Sequence, residues 1–441
     1  MRRAAVLGGS VAGLLAARVL SEYADEVVVL EPDDLAEHGT GRGAPQRDQL
    51  HAVLAMGHVQ LERWFPGITA ELIGGGAHLG EGPEAVRFFV DGVLKAPVPH
   101  LRMLGATRPF IEQHIRRRVL ALPNVVVRRE RAYDLLFSGR RVCGVRSSAV
   151  TDTSSPTSDT VEAALVVDAM GRSSRLATWL ERGGWEPPPS DRMTVDLGYA
   201  TASFHRGDEL PGTVIAHSMP GPASAYLPAR CEPGALAAVE GDRWSVVLAG
   251  YVDHRPGRDP QEFLTRMRRC VAPLREVAER CAMDGDVRTF HFPESRRRRF
   301  TQLTRFPGGL VAVGDSVASV NPIYGQGLTL ATLQASSLSA HLRTGADPHA
   351  PAWGYFRRVR TVVDAAWQLS TTADLAQPHV TGPYLRGYRL MRWAGDRITS
   401  ASVLDTRVNE TFTDVVNMRA RPRALTRPSL LLRAARVLAA R

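Results

Sequence analysis

The chain has 441 residues, of which 44% are hydrophobic, and its formal net charge is +10. This length predicts two to three domains with a core large enough to enclose a cofactor and a substrate. No apolar run reaches the roughly 18 residues that a membrane-spanning helix needs, so we expect no integral membrane association and a cytoplasmic location.

The cysteine and basic residues exclude further classes of function. The four cysteines show no CxxC spacing and no nearby histidines, which predicts neither a metal site nor a disulfide framework. All basic residues except Lys95 are arginines, and four of them form the run Arg296 to Arg299. Because no nucleic-acid-binding module accompanies this run, we expect no nucleic-acid partner, and the positive charge suits an anionic cofactor.

A glycine-rich turn lies near the start, between a predicted strand at 4–7 and a predicted helix at 14–20. Its residues are Gly8, Gly9, Ser10, Ala12 and Gly13, and Ser10 takes the place of the second glycine of G-x-G-x-x-G. Such a turn lets backbone N–H groups approach a diphosphate, whose charge the helix N-terminus attracts. Glu31 ends the next predicted strand, 18 residues after Gly13, where a carboxylate can accept from a ribose hydroxyl. The pattern predicts a dinucleotide site.

The segments that follow continue an α/β pattern to about residue 182. A loop rich in Gly and Arg (39–46), an apolar helical segment (50–64) and a period-2 segment typical of a hairpin (86–98) precede a helix at 109–122, which Arg108 opens. We expect short strands at 125–127 and 142–145, an exposed loop at 151–160, and a buried strand at 164–167 that ends at Asp168.

The pattern changes between residues 185 and 289. Alternating apolar residues there predict a mostly antiparallel sheet, with strands at 197–204, 224–228 and 244–252 and one helix near 260–281. A buried strand at 310–313, a turn at 321–327 and a helix at 328–342 follow, and the chain is mostly helical from about 351. We predict an α/β fold with a Rossmann-like domain (1–85, 100–182 and 290–345), a substrate-binding sheet domain (86–99 and 183–289) and a C-terminal helical region (350–441).

Three features together resemble the FAD-dependent monooxygenases of the aromatic-hydroxylase type. They are the glycine turn, Arg108 at the start of a helix, and the segment from Gly314 to Gly327. The resemblance implies that FAD binds to the Rossmann-like domain, that Asp315 binds its ribityl chain, and that the next helix N-terminus stabilises negative charge on the flavin. The residues that it implies beside the flavin ring are Pro322, Gly325, Gln326, Gly327 and Leu328.

A narrower resemblance covers nearly the whole chain. Segments 42–46, 50–51, 65–67 and 168–175, with the turn at 322–327, resemble actinobacterial monooxygenases of natural-product pathways, including polyether epoxidases. This resemblance implies that Arg42 and Arg108 contact FAD. Two positions depart from the wider pattern: Met170 replaces an aspartate that also contacts NAD(P)H, and Ala318 replaces a histidine.

The resemblance implies an enzyme that uses NADPH or NADH and O2 to form a flavin C4a-hydroperoxide. The enzyme would then hydroxylate or epoxidise a small apolar substrate, such as a polyketide, terpenoid or indole skeleton. No motif assigns a catalytic side chain. The departure at Met170 leaves open whether electrons come directly from NAD(P)H or through a flavin reductase. Four residues suit either the wall of a substrate pocket or an ordinary role in packing or at the surface: His51, His78, Tyr199 and Tyr251.

Alternative functions remain open from the sequence. A flavin-dependent reductase of the isoprenoid-saturating type shares the fold and both glycine motifs. A flavin halogenase would need Lys95 as its catalytic lysine, and its Trp-x-Trp-x-Ile signature is absent; a non-catalytic flavoprotein would bind FAD as a structural element or redox sensor. The basic segment 430–438 is typical either of a helix on a membrane surface or of an amphipathic helix packed on its own domain. We expect the second of these.

Overall fold

The computed structural model describes residues 1–34, 45–51, 53–150, 158–219 and 231–440. Arg42 with the rest of 39–44, residues 151–157 of the exposed loop predicted at 151–160, and the strand predicted at 224–228 lie outside the described residues. Residues 158–160 of that predicted loop belong instead to a strand. The strands are β1 (Arg3–Leu7), β2 (Glu26–Leu30), β3 (His78–Glu81), β4 (Val86–Val90), β5 (Val93–Leu94), β6 (Arg102–Gly105), β7 (Val125–Arg128), β8 (Glu130–Ser138), β9 (Arg141–Ala149), β10 (Ser158–Glu162), β11 (Leu165–Asp168), β12 (Ser190–His205), β13 (Ile215–Met219), β14 (Gly234–Val239), β15 (Arg243–Tyr251), β16 (Met283–Arg298), β17 (Leu310–Ala312) and β18 (Ala318–Ser319).

The α-helices alternate with these strands at first and then follow one another at the end of the chain. They are α1 (Val11–Leu20), α2 (Ala55–Trp64), α3 (Ile68–Gly74), α4 (Gly82–Ala85), α5 (Arg108–Leu120), α6 (Leu176–Arg182), α7 (Pro260–Met267), α8 (Ala272–Arg280), α9 (Gly327–Leu342), α10 (Trp353–Asp374), α11 (Tyr388–Ala401), α12 (Thr406–Val416) and α13 (Pro428–Ala439). Over the described ranges, none of these helices has both the length and the apolar character that crossing a bilayer requires.

Five parallel strands form the sheet that carries the candidate site, in the order β17-β11-β1-β2-β7. The apolar runs of β1 and β2 are fully buried, as expected for a parallel sheet covered on both faces. Helix α1 packs against both α5 and α9. The carboxyl ends of β1, β2, β11 and β17 lie along one edge, where open α/β sheets bind their ligands.

Gly13 makes the closest approach between α1 and the turn before it. An ideal Cβ at this position would lie 1.8 Å from the carbonyl oxygen of Gly8. We expect Gly13→Ala to lower the free energy of unfolding by about 3 kcal/mol, because the backbone has to shift to relieve the overlap.

The control for this prediction is Gly395→Ala. Gly395 lies within α11, and an added Cβ there meets no described atom within 4 Å, so we expect a gain of up to about 1 kcal/mol from helix propensity. Urea unfolding measures both changes. A Gly13→Ala protein as stable as the wild type would contradict the close approach.

The second sheet has eight strands in the order β18-β16-β12-β15-β14-β13-β4-β5. It is antiparallel except where β4 runs parallel to β13. Helices α7 and α8 cover one face, on which Phe204 and Phe263 are buried. The other face carries Tyr199, Tyr251 and Phe292 and packs against the end of α10 and the turn at 322–324. The fold is therefore a Rossmann-like layer and a mostly antiparallel sheet, followed by C-terminal helices.

Several segments differ from the prediction in their extent. The helical segment expected at 50–64 begins only at Ala55, because Leu54 has an extended backbone and Val53 forms a β-bridge with Leu104. The single helix expected at 260–281 is wrong: Pro273 lies in the first turn of α8 and cannot donate to a continuing α7. In the hairpin expected at 86–98, only residues 93–94 pair with β4, and β16 crosses the predicted domain boundary at 289.

The C-terminal helices divide into two groups. Helix α10 packs on α9, whereas α11, α12 and α13 share an apolar cluster of their own. Leu430 and Ala434 attach α13 to this cluster, in which Ile398 and Val408 are also buried. The segment 430–438 thus packs on its own domain through one face.

Candidate active site

The turn between β1 and α1 is shaped by its first glycine. Gly8 has φ +108°, and a Cβ there would lie 2.7 Å from the carbonyl oxygen of Ala169. Ser10 precedes α1 in an extended conformation, and its hydroxyl lies 3.2 Å from both Glu112 Oε2 and Arg108 Nη2. The first N–H groups of α1 have no acceptor within the helix, so this end of α1 attracts anions.

The side chain of Glu31, just after β2, turns towards this loop. Its Oε2 accepts from the backbone N–H of Gly9 at 2.6 Å, and its Oε1 accepts from that of Asp33 at 2.9 Å. Burial raises the pKa of Glu31, and these two backbone hydrogen bonds oppose the shift. The carboxylate lies beside the glycine turn, where the ribose of a bound dinucleotide would need an acceptor.

Arg108 begins α5 and reaches the same loop. It is 8% exposed, its Nη1 lies 3.1 Å from His51 Nε2, and its Nη2 donates to the Ser10 hydroxyl. Its Nε faces Glu112 Oε2 at 3.6 Å, an ion pair too long for a hydrogen bond, and its Nη1 and Nη2 each carry a second N–H group. A buried guanidinium with a donor left over is suited to an anionic group that is not part of the described chain.

A buried carboxylate, Glu112, holds three arginines at this site. Arg47 Nη2 and Arg116 Nη2 each donate to Glu112 Oε1 at 3.0 Å, and Arg108 Nε lies 3.6 Å from Oε2. Arg47 is 3% exposed and Glu112 is 2% exposed. Sequence reasoning missed Arg47 and Glu112; the one local signal was the i,i+4 spacing of Arg108 and Glu112 on the predicted helix.

His51 is neutral in this arrangement. Burial, assisted by the charge of Arg108, lowers the pKa of His51 to about 3. Its Nδ1 therefore donates to the carbonyl oxygen of Gln49 at 2.7 Å, which leaves Nε2 to accept from Arg108. His51 orients Arg108 and is not an acid near neutral pH. His78 lies on β3 close to Arg206 and Asp242, and neither of these belongs to the loops described above.

The second loop follows β17 and touches the first. Gly314 has φ +64°, and a Cβ there would lie 2.7 Å from the Ala12 side chain. Asp315 is partly exposed. Burial raises its pKa, and the guanidinium groups of Arg108 and Arg172 act in the opposite direction. A carboxylate near Arg108 is thus available to accept hydrogen bonds from hydroxyl groups.

Asp168, at the carboxyl end of β11, ties the loops together. It is fully buried, and its Oδ1 accepts from the Met170 N–H and the Ser316 hydroxyl, both at 3.0 Å. Its Oδ2 accepts from the Ser174 hydroxyl at 2.5 Å. Burial raises the pKa of Asp168, and these hydrogen bonds oppose the shift. Because both oxygens already have partners within the chain, Asp168 holds the loop that contains Ser316.

A tight turn leads into α9. The Asn321 Oδ1 accepts from the Ile323 N–H at 3.0 Å, and Gly325 adopts φ +67°. Gln326 is 1% exposed, and within the described residues its Oε1 has no hydrogen-bond partner. An added Cβ at Gly327 would meet no described atom within 4 Å. The N-terminus of α9 therefore faces open space beside an unused acceptor.

The last residue of α10, Asp374, is a buried carboxyl joined to this turn. Its Oδ1 accepts from Asn321 Nδ2 at 2.7 Å and from the Tyr324 hydroxyl at 3.0 Å, and Asn321 Nδ2 also lies 3.0 Å from the Tyr251 hydroxyl. Its Oδ2 finds no hydrogen-bond partner in the described part of the chain. Burial raises the pKa of Asp374 to about 7. Sequence reasoning missed Asp374, because no local pattern marks a contact with residues 50 or more positions away.

The structure brings most of the predicted cofactor residues to the carboxyl edge of the parallel sheet. Arg42 lies outside the described residues. The turn residues lie at the start of α9, and α9 packs against α1. Helix α9 begins one residue before its predicted start at Leu328. The residues at the sheet edge are Gly8, Gly9, Ser10, Ala12, Gly13, Glu31, Arg108 and Asp315, and those at the start of α9 are Pro322, Gly325, Gln326, Gly327 and Leu328.

Comparison with solved structures identifies the class of fold. The chain is similar to p-nitrophenol 4-monooxygenase PnpA from Pseudomonas putida, with a TM-score of 0.66 and 16% identity over 95% of this chain and 99% of that chain. It is also similar to the flavin-dependent brominase Bmp2, with a TM-score of 0.67 and 14% identity over 99% of this chain and 98% of that chain. The fold is that of the FAD-dependent monooxygenases of the aromatic-hydroxylase type, which flavin-dependent halogenases share.

Sequence comparison gives a nearer relative. The chain is 32% identical to Protein Rv3254 of Mycobacterium tuberculosis over 422 residues, which cover 93% of this chain and 88% of that protein. The chain belongs to the family of Protein Rv3254. No family model matches the chain.

Proposed function

We propose that the protein is an FAD-dependent monooxygenase. It uses NADPH or NADH as reductant and inserts one oxygen atom of O2 into a small apolar organic substrate, by hydroxylation or epoxidation. The observation that carries this proposal is the meeting of two loops at one sheet edge, the glycine turn after β1 and the Gly314 loop after β17, with Arg108 between them.

The residues at the first loop fit the diphosphate of FAD. The Arg108 guanidinium, with further N–H groups on Nη1 and Nη2, and the N-terminus of α1 are donors or positive groups around one place. Glu31 would accept from the adenosine ribose after giving up its contact with the Gly9 N–H. The predicted role of Arg42 stays a prediction.

The residues at the second loop fit the ribityl chain and the flavin ring. Asp315 is partly exposed and would accept from ribityl hydroxyls. The open space at Gly327 admits a flat ring, and the N-terminus of α9 would favour negative charge on it. When bound there, FAD supplies the redox chemistry, accepting electrons from NAD(P)H and activating O2.

The substrate would lie against one apolar face of the second sheet. The face of the second sheet opposite α7 and α8 carries Tyr199, Tyr251, Phe290 and Phe292, and it packs against Ile323 of the turn before α9. An apolar substrate held there would displace water and lie next to the turn. Asp374, hydrogen-bonded to that turn and with its pKa raised to about 7, can hold or release a proton at Oδ2 near neutral pH.

The halogenase alternative needs a lysine close to the flavin. Lys95 follows β5, at the edge of the eight-stranded sheet opposite to β16 and β18, which adjoin the second loop. Its ammonium group lies 3.8 Å from the centre of the Phe412 ring, and burial lowers its pKa to about 7. Because strands lie about 4.8 Å apart, this position is several strands from the proposed ring site and supports the monooxygenase proposal.

The test is a sequence of reactions on purified protein loaded with FAD. NADPH or NADH is added without oxygen, and isotopically labelled O2 is then added with apolar aromatic or olefinic substrates. Label in the product supports the proposal. If the FAD is reduced only when a separate flavin reductase is present, that reductase is a partner of this protein.

Other outcomes would overturn the proposal. Bromination in the presence of bromide would replace it with a halogenase, and saturation of a double bond without O2 would replace it with a reductase. Failure to take up FAD would contradict the site itself.

A further inference from the structure

Two of the C-terminal helices, α11 and α13, expose large apolar side chains. Leu390 is 69% exposed and Trp393 is 56% exposed, both on α11, and Leu432 on α13 is 59% exposed. A groove of about 290 Å³ lies along the contact between the two helices and is lined by Trp393, Leu431 and Leu438. The buried face of α13, through Leu430 and Ala434, already packs on α11 and α12, so these exposed side chains are the remaining face.

Arginines alternate with the apolar residues on the same helix faces. On α11, Arg389 and Arg397 stand four residues before and after Trp393, and all three are exposed. On α13, exposed Arg436 stands four residues after Leu432. Residues four apart on a helix share a face, so Trp393 and Leu432 each have a guanidinium next to them, and Leu390 follows Arg389 directly. This combination is typical of helices that lie in the headgroup region of a bilayer.

The charge of the whole chain is concentrated in this region. Residues 381–441 contain twelve arginines, no lysines and four acidic residues, which is a net charge of +8. The whole chain carries +10, so the first 380 residues are close to neutral. The region that carries these exposed side chains therefore has a net charge that complements an anionic lipid surface, to which each basic side chain is attracted over about a Debye length. A second copy of this chain would bring the same positive charge and be repelled.

We propose that the face formed by Leu390, Trp393, Leu432 and the neighbouring arginines of α11 and α13 binds the surface of bilayers that contain anionic lipids. The apolar side chains enter the headgroup region, and the arginines contact lipid phosphates. This inference does not depend on FAD binding or on the reaction. Taken with the proposed function, it places the C-terminal helices against the bilayer in which an apolar substrate would dissolve.

The test is co-sedimentation of the full chain with vesicles. The wild type is expected to bind vesicles of phosphatidylglycerol mixed with phosphatidylcholine, to bind pure phosphatidylcholine at least tenfold more weakly, and to dissociate at high salt. The double variants Leu390→Ser with Trp393→Ser, and Arg389→Ser with Arg397→Ser, are each expected to lower the partition coefficient by roughly tenfold.

Matched controls lie on other helices. Val59 is 57% exposed on α2, and the Arg117 side chain is 60% exposed on α5, so Val59→Ser and Arg117→Ser should leave vesicle binding unchanged. Circular dichroism checks that every variant is folded. Equal binding by the double variants and the wild type would overturn the proposal. The proposal would also be overturned if the wild type did not bind anionic vesicles and instead formed a dimer in solution that the Leu390→Ser, Trp393→Ser variant abolished.

Discussion

Replacing Arg108 by alanine is expected to weaken FAD binding by one to two orders of magnitude. The guanidinium is buried at the glycine turn, and its Nη1 and Nη2 each carry an N–H group beyond those that bond His51 and Ser10. A charge-assisted hydrogen bond to a phosphate contributes roughly 1.5–3 kcal/mol, which corresponds to about a tenfold to hundredfold change in the dissociation constant. Quenching of flavin fluorescence on titration with the cofactor-free protein measures this constant.

The control for this variant is Arg117→Ala. Arg117 lies on the same helix with its side chain 60% exposed, and we expect the FAD dissociation constant to stay within about twofold of the wild type. Arg108→Lys keeps the charge but loses the planar fork, and it should fall between alanine and the wild type. If Arg108→Ala binds FAD as tightly as the wild type does, Arg108 is not a diphosphate ligand and the proposed site has to move.

Replacing Asp374 by asparagine is expected to change how stability depends on pH. Burial raises the pKa of Asp374 from 3.8 to about 7 in the folded state. The folded protein therefore binds a proton that the unfolded chain releases, and wild-type stability falls as pH rises from about 4 to about 7. The full loss is roughly 4 kcal/mol, and above pH 7 it no longer grows. Asparagine resembles the protonated acid and removes this dependence.

We expect Asp374→Asn to become increasingly stable relative to the wild type as the pH rises from 4 to 7. Urea unfolding of the FAD-free proteins at several pH values measures it. Tyr324→Phe is the companion variant: it removes a hydroxyl that donates to the ionised carboxylate, so its loss of stability should be largest above pH 7. A difference between Asp374→Asn and the wild type that stays constant with pH would show that the carboxyl does not titrate in this range.

Local patterns were sufficient to predict the two loops of the site. The glycine turn, Glu31 and the segment after β17 each depend on a strand, a turn and a helix that follow one another in the chain. Parallel strands place their carboxyl ends at one edge, so the meeting of these loops follows once the strands are recognised. The class of fold could be predicted for the same reason.

Contacts between distant residues could not be predicted in this way. Asp374 meets the turn before α9 only because α10 packs on α9, and nothing in its own neighbourhood of the sequence marks it as buried. Arg47 likewise meets Glu112 across 65 residues. The division between α7 and α8 is a different case, because Pro273 was visible in the sequence and its effect on the helix was overlooked.

The order of strands in the parallel sheet also bears on how the protein is made. β11 lies between β1 and β17, but β17 begins 142 residues after the end of β11, at Leu310. At about 5–20 residues per second, a ribosome needs roughly 7 to 30 seconds to synthesise that stretch. During this time the outer edge of β11 has no partner strand, and the Gly314 loop does not yet exist. The proposed cofactor site can therefore be complete only after synthesis has passed α9, and a nascent chain stalled before Leu310 would expose an apolar strand edge to its neighbours.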